Sequence, residues 1–482
     1  MKNLKLNIMI FLLISSIGSA HSIETSSPTM QDFDPLVDIN ITIDIVAIRA
    51  LEEFDNQLSD ADFFIKIFIN NVEYTSQIWH DISYIYQNPF SVTTDVPDNE
   101  EYVVIKIQLW EWNTDENILC DIGNASFEAI LNYSIKNGHW IGDDQLKDPS
   151  GYGRLNGCDD GSIYEAQFDC ELWFDIHQND YDNDSLPYWV EIYSYDTDPT
   201  FDNSGEDIDD DTLPIEYEHK WGFNPFISED HFQNDEDSDS LTTYEEYLTK
   251  EYRTDPYRKD VLIEYDFMAT NPTGEENIVP SEADDLLKNP FHRRNINIHV
   301  NRDEIIPFDE DVGIQEVFDI YDTYYLHNNS DNWRRSVFHY GLFVSECTPP
   351  GYGFSGDVAP YWGYIPGTNG FVISCRQMER SSIRDSNTLA YTIGSAIMHE
   401  MGHNFGIRSG NPPGCDNRGC IYPWRLSFWL YWNYKSCMNY RYTYKIFDYS
   451  DGSHGTRDFN DWNAIDLTYF EIPEEEYLKQ LV

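Results

Sequence analysis

Three side chains that can do chemistry together stand in His399-Glu400-Met401-Gly402-His403. Histidines four residues apart lie on one face of a helix, one turn from each other. Two neutral imidazoles so placed can share a Zn2+ ion, and Glu400 between them can take a proton from a water at the metal. The bland alternative is a solvated His-Glu-His face. The preceding residues argue for a helix that must hold its place: Leu389, Ile393, Ala396 and Ile397 recur at helical spacing and imply one buried face. Ser386 or Asn387 is expected to cap its start. Gly406, three residues past His403, can take the left-handed conformation that ends a helix.

Further along lies Lys435-Ser436-Cys437-Met438-Asn439-Tyr440. With the histidine stretch it resembles the metzincin metalloproteases, over roughly residues 258–470. The resemblance implies a Met-containing turn at Met438 beneath the metal and a tyrosine, Tyr440, beside it. It also implies one catalytic Zn2+, with Glu400 as general base in peptide-bond hydrolysis. One position departs from the pattern: where the family carries a third ligand, this chain has Ser409, and a serine hydroxyl is a poor zinc ligand. Asp416, His454 and Cys415 are the candidates to replace it. A non-catalytic, calcium-dependent surface or adhesion protein with a degenerate zinc site is the competing reading. Retention of Glu400 speaks against it, because holding zinc alone requires no base.

Upstream runs an acidic arm with its own regularity. Between Asp180 and Glu218 there are 14 carboxylates and no Lys or Arg. Asp180, Asp182, Asp184, Leu186 and Glu191 form one set; Asp207, Asp209, Asp211, Leu213 and Glu218 a second; Asp235, Asp237, Asp239, Leu241 and Glu246 a third. Each puts carboxylates at positions 1, 3 and 5, a backbone carbonyl at 7 and a glutamate at 12, the ligand order of an EF-hand calcium loop. The pattern resembles thrombospondin type 3 and related calcium repeats, which implies up to three structural Ca2+ ions. Position 6, ordinarily Gly, is Ser185, Thr212 and Ser240. A side chain there makes a positive φ costly.

The remaining organisation follows from composition and periodicity. The 482 residues carry a net charge of −56, which excludes nucleic acid as a partner. Residues 1–20 read as a signal peptide: Lys2 and Lys5, an apolar run from Leu6 to Ile14, then small residues up to Ala20. A secreted protein without a transmembrane segment is expected, with eight cysteines available for disulfides, Cys158 with Cys170 among them. Sequons stand at Asn40, Asn124, Asn132 and Asn328.

Residues 36–178 alternate apolar and polar, as in Ile39–Val46, Phe63–Ile69 and Tyr102–Trp110, and predict an antiparallel β-sandwich. The stretch Trp110–Gly123 resembles the strand and loop of C2 domains, which suggests surface attachment, although Glu111 and Asn113 replace the usual aspartates. The expected fold is therefore multidomain: a C2-like sandwich (36–178), three calcium repeats (179–257) and an α+β metzincin-like domain (258–482) acting on a protein or peptide substrate. In the last, Val261–Phe267, Ile296–Val300, Val337–Val344 and Gly370–Ser374 read as strands, with Phe371–Ser374 as the cleft edge. Gln315–Ile320 reads as a helix and Trp462–Tyr469 as a closing helix. The aromatics from Tyr422 to Trp432 read as core or pocket.

Overall fold

The computed structural model describes residues 39–469 apart from 53, 55–59, 98–99, 124–125, 145–150, 350 and 356–368. The signal-peptide segment and Asn124 lie outside the described residues. Eleven strands build the amino-terminal half: β1 (Asn40–Ala50), β2 (Phe63–Ile69), β3 (Val72–Thr75), β4 (Tyr84–Ile85), β5 (Phe90–Asp95), β6 (Tyr102–Glu111), β7 (Ile118–Leu119), β8 (Ala129–Ser134), β9 (Trp140–Gly142), β10 (Gly153–Asn156) and β11 (Cys170–Gln178). They form two sheets, one ordered β10-β11-β1-β4 with β5 also on β1, the other β3-β2-β6-β8-β9 with β7 on β6. All these pairings are antiparallel. Period-two burial explains the sandwich: Ile41, Ile43 and Ile45 of β1 share one core with Ile65 and Ile67 of β2 and with Ile105 and Ile107 of β6.

The acidic arm carries only short helices, α1 (Tyr188–Val190), α2 (Ile215–Trp221) and α3 (Thr243–Leu248). Beyond it, β12 (Asp260–Met268) begins a second fold with α4 (Ser281–His292), β13 (Asn297–Ile306), α5 (Ile314–Ile320), α6 (Arg334–Val337), β14 (Phe338–Val344), β15 (Gly351–Ser355), β16 (Asn369–Ser374), α7 (Cys375–Asp385), α8 (Leu389–Asn404) and α9 (Leu426–Leu430). The sheet order is β13-β12-β14-β16-β15. Alternate residues of β12 feed two cores. Ile263 and Tyr265 pack with Leu287 of α4 and Ile397 of α8, while Leu262 packs on the opposite face with Val317 and Tyr321. β12 is buried along its whole length yet carries Asp260, Glu264 and Asp266; each has a partner, His299, Arg334 and the Tyr340 hydroxyl respectively, as burial of a carboxylate requires.

Four expectations are corrected. The sheet edge is not Phe371–Ser374: β16 lies between β14 and β15, and β15 closes the sheet as its antiparallel member. A glycine-spaced Gly351-Tyr352-Gly353 run conceals this strand from any apolar alternation. No closing helix forms at 462–469, where the chain makes turns held by the Asp466 carboxylate, which accepts from the Thr468 N–H at 3.0 Å. The cap of α8 is Thr388, whose hydroxyl accepts from the Tyr391 N–H at 3.1 Å. All eight cysteines are buried free thiols; Cys158 faces the Asp169 carboxylate at 3.6 Å, while Cys170 lies against Cys120.

The sandwich meets the second fold through buried charge. Arg154 pairs with Glu171, both nearly inaccessible, and His292 of α4 donates from Nδ1 to the second oxygen of Glu171 at 2.6 Å. Burial and the neighbouring guanidiniums of Arg49 and Arg154 push the His292 pKa down to about 3, despite Glu171, so Arg154 is the true countercharge. Burial alone would raise the Glu171 carboxyl; Arg154, His292 and Arg49 outweigh it and hold the group well below 4.5. Arg49 adds a bond to Asn289 at 3.0 Å, and Arg293 donates to the Leu51 carbonyl at 2.6 Å.

Glu171→Ala would strand Arg154 in this interface and should cost about 3–5 kcal/mol in denaturant unfolding. The depressed folded-state pKa makes the Glu171 contribution complete above its unfolded value near 4.5 and progressively lost as pH falls below it. The stability difference between wild type and the variant should therefore shrink on acidification.

Candidate metal centre and acidic loops

Helix α8 is built to be gripped from several sides. At Gly394 a Cβ would stand 2.9 Å from the Phe447 ring and 3.1 Å from the Ala283 carbonyl, so α4 packs close. Ser395 donates to the Thr443 carbonyl. At Gly402 a Cβ would lie 2.5 Å from the Met438 sulfur, which is how Met438 comes to sit directly under the histidine turn. At Gly353 a Cβ would lie 2.7 Å from the Glu400 carbonyl, so the edge strand β15 runs hard against the helix. Gly406, at φ 92°, turns the chain away after His403.

The fold fixes both imidazoles through their Nδ1 atoms. His399 Nδ1 donates to the Cys437 carbonyl at 2.9 Å, and His403 Nδ1 donates to the Ile407 carbonyl at 2.6 Å. A carbonyl only accepts, so each ring carries its hydrogen on Nδ1 and presents Nε2 to the other side. There, Asp416 reaches both: Oδ1 is 3.0 Å from His399 Nε2, and Oδ2 is 3.3 Å from His403 Nε2.

Asp416 is delivered by a loop at φ 53°, whose N–H donates to the Met438 carbonyl. Two nitrogen lone pairs and a carboxylate thus converge on one point. Such a set requires a cation or a proton. With a proton, burial opposes the His399 charge, but Asp416 and Glu400 prevail and raise its pKa to about 9. Asp416 in turn is held far below the ordinary carboxylate range by the two histidines, against its burial.

The other candidates are placed differently. Cys415 lies near His403 and Asp416, but burial and the Asp416 charge push its thiol up, so it stays protonated. His454 is engaged by Asp458 at 2.9 Å and Asp451 at 3.8 Å in a surface turn. Ser409 is exposed.

Glu400 is buried beside this group; burial raises its pKa against the two histidines, and the Gly353 N–H donates to it. The Tyr440 ring stacks on His399 with centroids 5.6 Å apart, and burial together with Asp416 and Glu400 keeps its hydroxyl protonated. Neither β15 nor the two carbonyls that orient the rings is signalled by the spacing of apolar residues.

The three acidic loops share one internal geometry. Position 1 accepts from the backbone ahead: Asp180 from Asn183 and Ser185, Asp207 from Asp211 and Thr212, Asp235 from Ser238 and Ser240. Position 5 accepts from position 7 and from the next segment: Asp184 from Leu186 and Asn203, Asp211 from Leu213 and Glu229, Asp239 from Leu241 and Asp260. Leu186, Leu213 and Leu241 are buried anchors.

Position 3 differs. Both carboxylate oxygens of Asp182 and of Asp209, and one of Asp237, are buried without a donor in hydrogen-bonding geometry. Glu191 and Glu218 are pushed up to about 8 by burial and then by the loop aspartates. Asp237 is pushed up to about 10 and Glu246 rises for the same reasons. Position 6 takes positive φ in every loop: 73° at Ser185, 90° at Thr212 and 85° at Ser240. In the middle loop a residue outside the pattern joins the group: buried His231, with Nε2 2.9 Å from Asp211.

In the sandwich, Glu111 and Asp62 are spent on structure. Glu111 accepts from the Asp62 N–H at 2.9 Å, and Asp62 binds His80 and the Asp81 N–H. The aromatics after Asp416 are neither core nor pocket lining for the most part: Trp424, Trp429 and Trp432 are exposed.

No family model and no curated protein matches this chain. Among solved structures, human GIVD cytosolic phospholipase A2 is similar over 29% of this chain and 17% of its own, at 13% identity and a TM-score of 0.20. A structure described as a C2 domain is similar over 29% of this chain and 98% of its own, at 10% identity and a TM-score of 0.19. A domain of plant Extended Synaptotagmin 1 gives 11% identity, coverage of 29% of this chain and 95% of its own, and a TM-score of 0.19. Likenesses at this level add nothing to the geometry.

Gly402→Ala should force Met438 from beneath the helix. An overpacked core contact of this kind costs about 1–3 kcal/mol, so the melting temperature should fall without any change in surface residues. Met438→Ala in the Gly402→Ala background should recover part of the loss.

Proposed function

We propose that the second fold is a zinc-dependent endopeptidase of metzincin type and that the acidic loops hold calcium. The convergence of His399 Nε2, His403 Nε2 and the Asp416 carboxylate carries the first part. In a tetrahedron with bonds of about 2.0–2.1 Å, ligand atoms stand ~3.3 Å apart. The observed separations, 3.0 Å from His399 Nε2 to Asp416 Oδ1 and 3.3 Å from His403 Nε2 to Asp416 Oδ2, are of that size, each running to a different oxygen of the one carboxylate.

A zinc ion so held supplies Lewis acidity, acidifying a water and polarising the scissile carbonyl. The protein supplies the rest. Glu400, whose pKa burial raises, takes a proton from the attacking water and returns it to the leaving amine nitrogen as the C–N bond breaks. The Tyr440 hydroxyl stays protonated and is available to donate to the oxyanion. Among the described residues β15 pairs only with β16, and its other edge offers backbone groups to an extended peptide lying across Glu400, which favours a polypeptide substrate.

The orphaned oxygens at position 3 carry the calcium reading. A buried carboxylate without a donor is expensive unless a cation meets it. Three ions would offset part of the arm's negative charge and stiffen it between the sandwich and the peptidase.

Glu400→Gln should lower hydrolysis of unfolded casein by about 10²–10⁴-fold while leaving bound zinc stoichiometric; equal rates would overturn the assignment. Ser185→Gly, Thr212→Gly and Ser240→Gly each relieve a left-handed side chain costing about 1 kcal/mol. Calorimetry should therefore show tighter calcium uptake for each, and no uptake by any variant or by the wild type would remove the calcium reading.

A further inference from the structure

Between residues 401 and 447 the charge of this strongly acidic chain reverses. Asp416 is the sole carboxylate there, against Arg408, Arg418, Arg425, Lys435, Arg441 and Lys445. Among the described residues, none of Arg418, Arg425, Lys435, Arg441 and Lys445 forms an ion pair. In the same stretch the protein holds large apolar side chains out into water. Trp424 is 77% exposed, Leu426 72% and Trp429 62%, with Ile421, Tyr422 and Trp432 exposed beside them. Three of the four exposed tryptophans among the described residues stand here.

These side chains are held firmly. Tyr422 stacks on Trp424 with centroids 5.1 Å apart, and Trp429 stacks on Trp432 at 6.0 Å. The Trp429 indole N–H donates to the Pro423 carbonyl at 2.8 Å, tying the two stacks together. The Arg441 guanidinium lies 3.4 Å from the Trp432 ring centre and 3.9 Å from that of Phe428, bracing the base.

Exposure of this extent at Trp424, Leu426 and Trp429 describes a convex tip, not the wall of a side-chain pocket. A rigid tip of Trp and Leu, braced by Arg441 and interspersed along the chain with Arg418, Arg425 and Lys435, matches the interfacial zone of a bilayer, where indoles sit at headgroup depth and guanidiniums meet phosphates. Screening confines the charge of the acidic arm to about 8–10 Å at physiological salt, and among the described residues no hydrogen bond or ion pair joins residues 180–257 to residues 418–441. We infer that the surface formed by residues 418–432, with Lys435 and Arg441, docks the catalytic half on an anionic lipid surface. This attachment would be distinct from any made by the sandwich, and it would face the candidate metal centre towards substrates at that surface: Arg418 is two residues from Asp416, and its charge reaches Tyr440.

The test uses the full chain carrying Glu400→Gln, so that its result does not depend on peptidase activity. Co-sedimentation with phosphatidylcholine vesicles containing phosphatidylglycerol should show binding that weakens at least ~10-fold with pure phosphatidylcholine and weakens with added salt. Trp424→Ser, Leu426→Ser and Trp429→Ser together should cost a further ~10-fold or more. Arg418→Glu with Arg425→Glu is a second, independent probe, and unchanged circular dichroism certifies folding in each case. Failure of the parent chain to bind, or binding that both variant sets leave intact, overturns the proposal. Intact vesicle binding together with a raised KM for soluble acidic peptides in otherwise unmodified enzyme would show that the tip reads polypeptide instead.

Discussion

The arrangement at α8 depends on one electrostatic constraint: acceptors from two parts of the chain, the imidazoles of α8 and the carboxylate of the Asp416 loop, point at one another and require a cation or a proton between them. The Cys437 and Ile407 carbonyls fix the hydrogens on the far side of each imidazole, and Asp416 closes the near side. The rest of the second fold serves that point. The sheet core presses α8 from one side, Met438 fills the notch left by Gly402, and β15 covers the Glu400 side through glycines that permit backbone-to-backbone approach.

The same constraint recurs along the arm, with carboxylates alone. Asp182, Asp209 and Asp237 are aimed inward without donors, whereas the aspartates before and after them satisfy the loop backbone. A division between oxygens that build the loop and oxygens left over is what the proposed calcium loops need. It also explains why Ser185, Thr212 and Ser240 bear a strained conformation: the turn that points position 3 inward demands it.

Much of this was legible from residue spacing, because helical and strand periodicities are local. The run Leu389–Ile397 identified the long helix, and alternation in Ile39–Val46 and Tyr102–Trp110 identified sandwich strands. Position 416 was one of three candidates opposite the histidines; choosing among them requires a loop at positive φ, which spacing does not reveal. The edge strand was misplaced because Gly351-Tyr352-Gly353 carries no apolar alternation, and close packing against α8 selected glycine over β-branched residues. The segment at 462–469 shows helical spacing yet turns, since the Asp466 carboxylate takes both the N–H and the hydroxyl of Thr468. The aromatics at 422–432 read as core by composition alone, and only their exposure shows otherwise.

The most direct test is anomalous diffraction at the zinc absorption edge from crystals of protein purified without chelators. The account requires a single strong peak bounded by His399 Nε2, His403 Nε2 and Asp416. No peak there, with Asp416 instead hydrogen-bonded directly to both imidazoles at full occupancy, would contradict it.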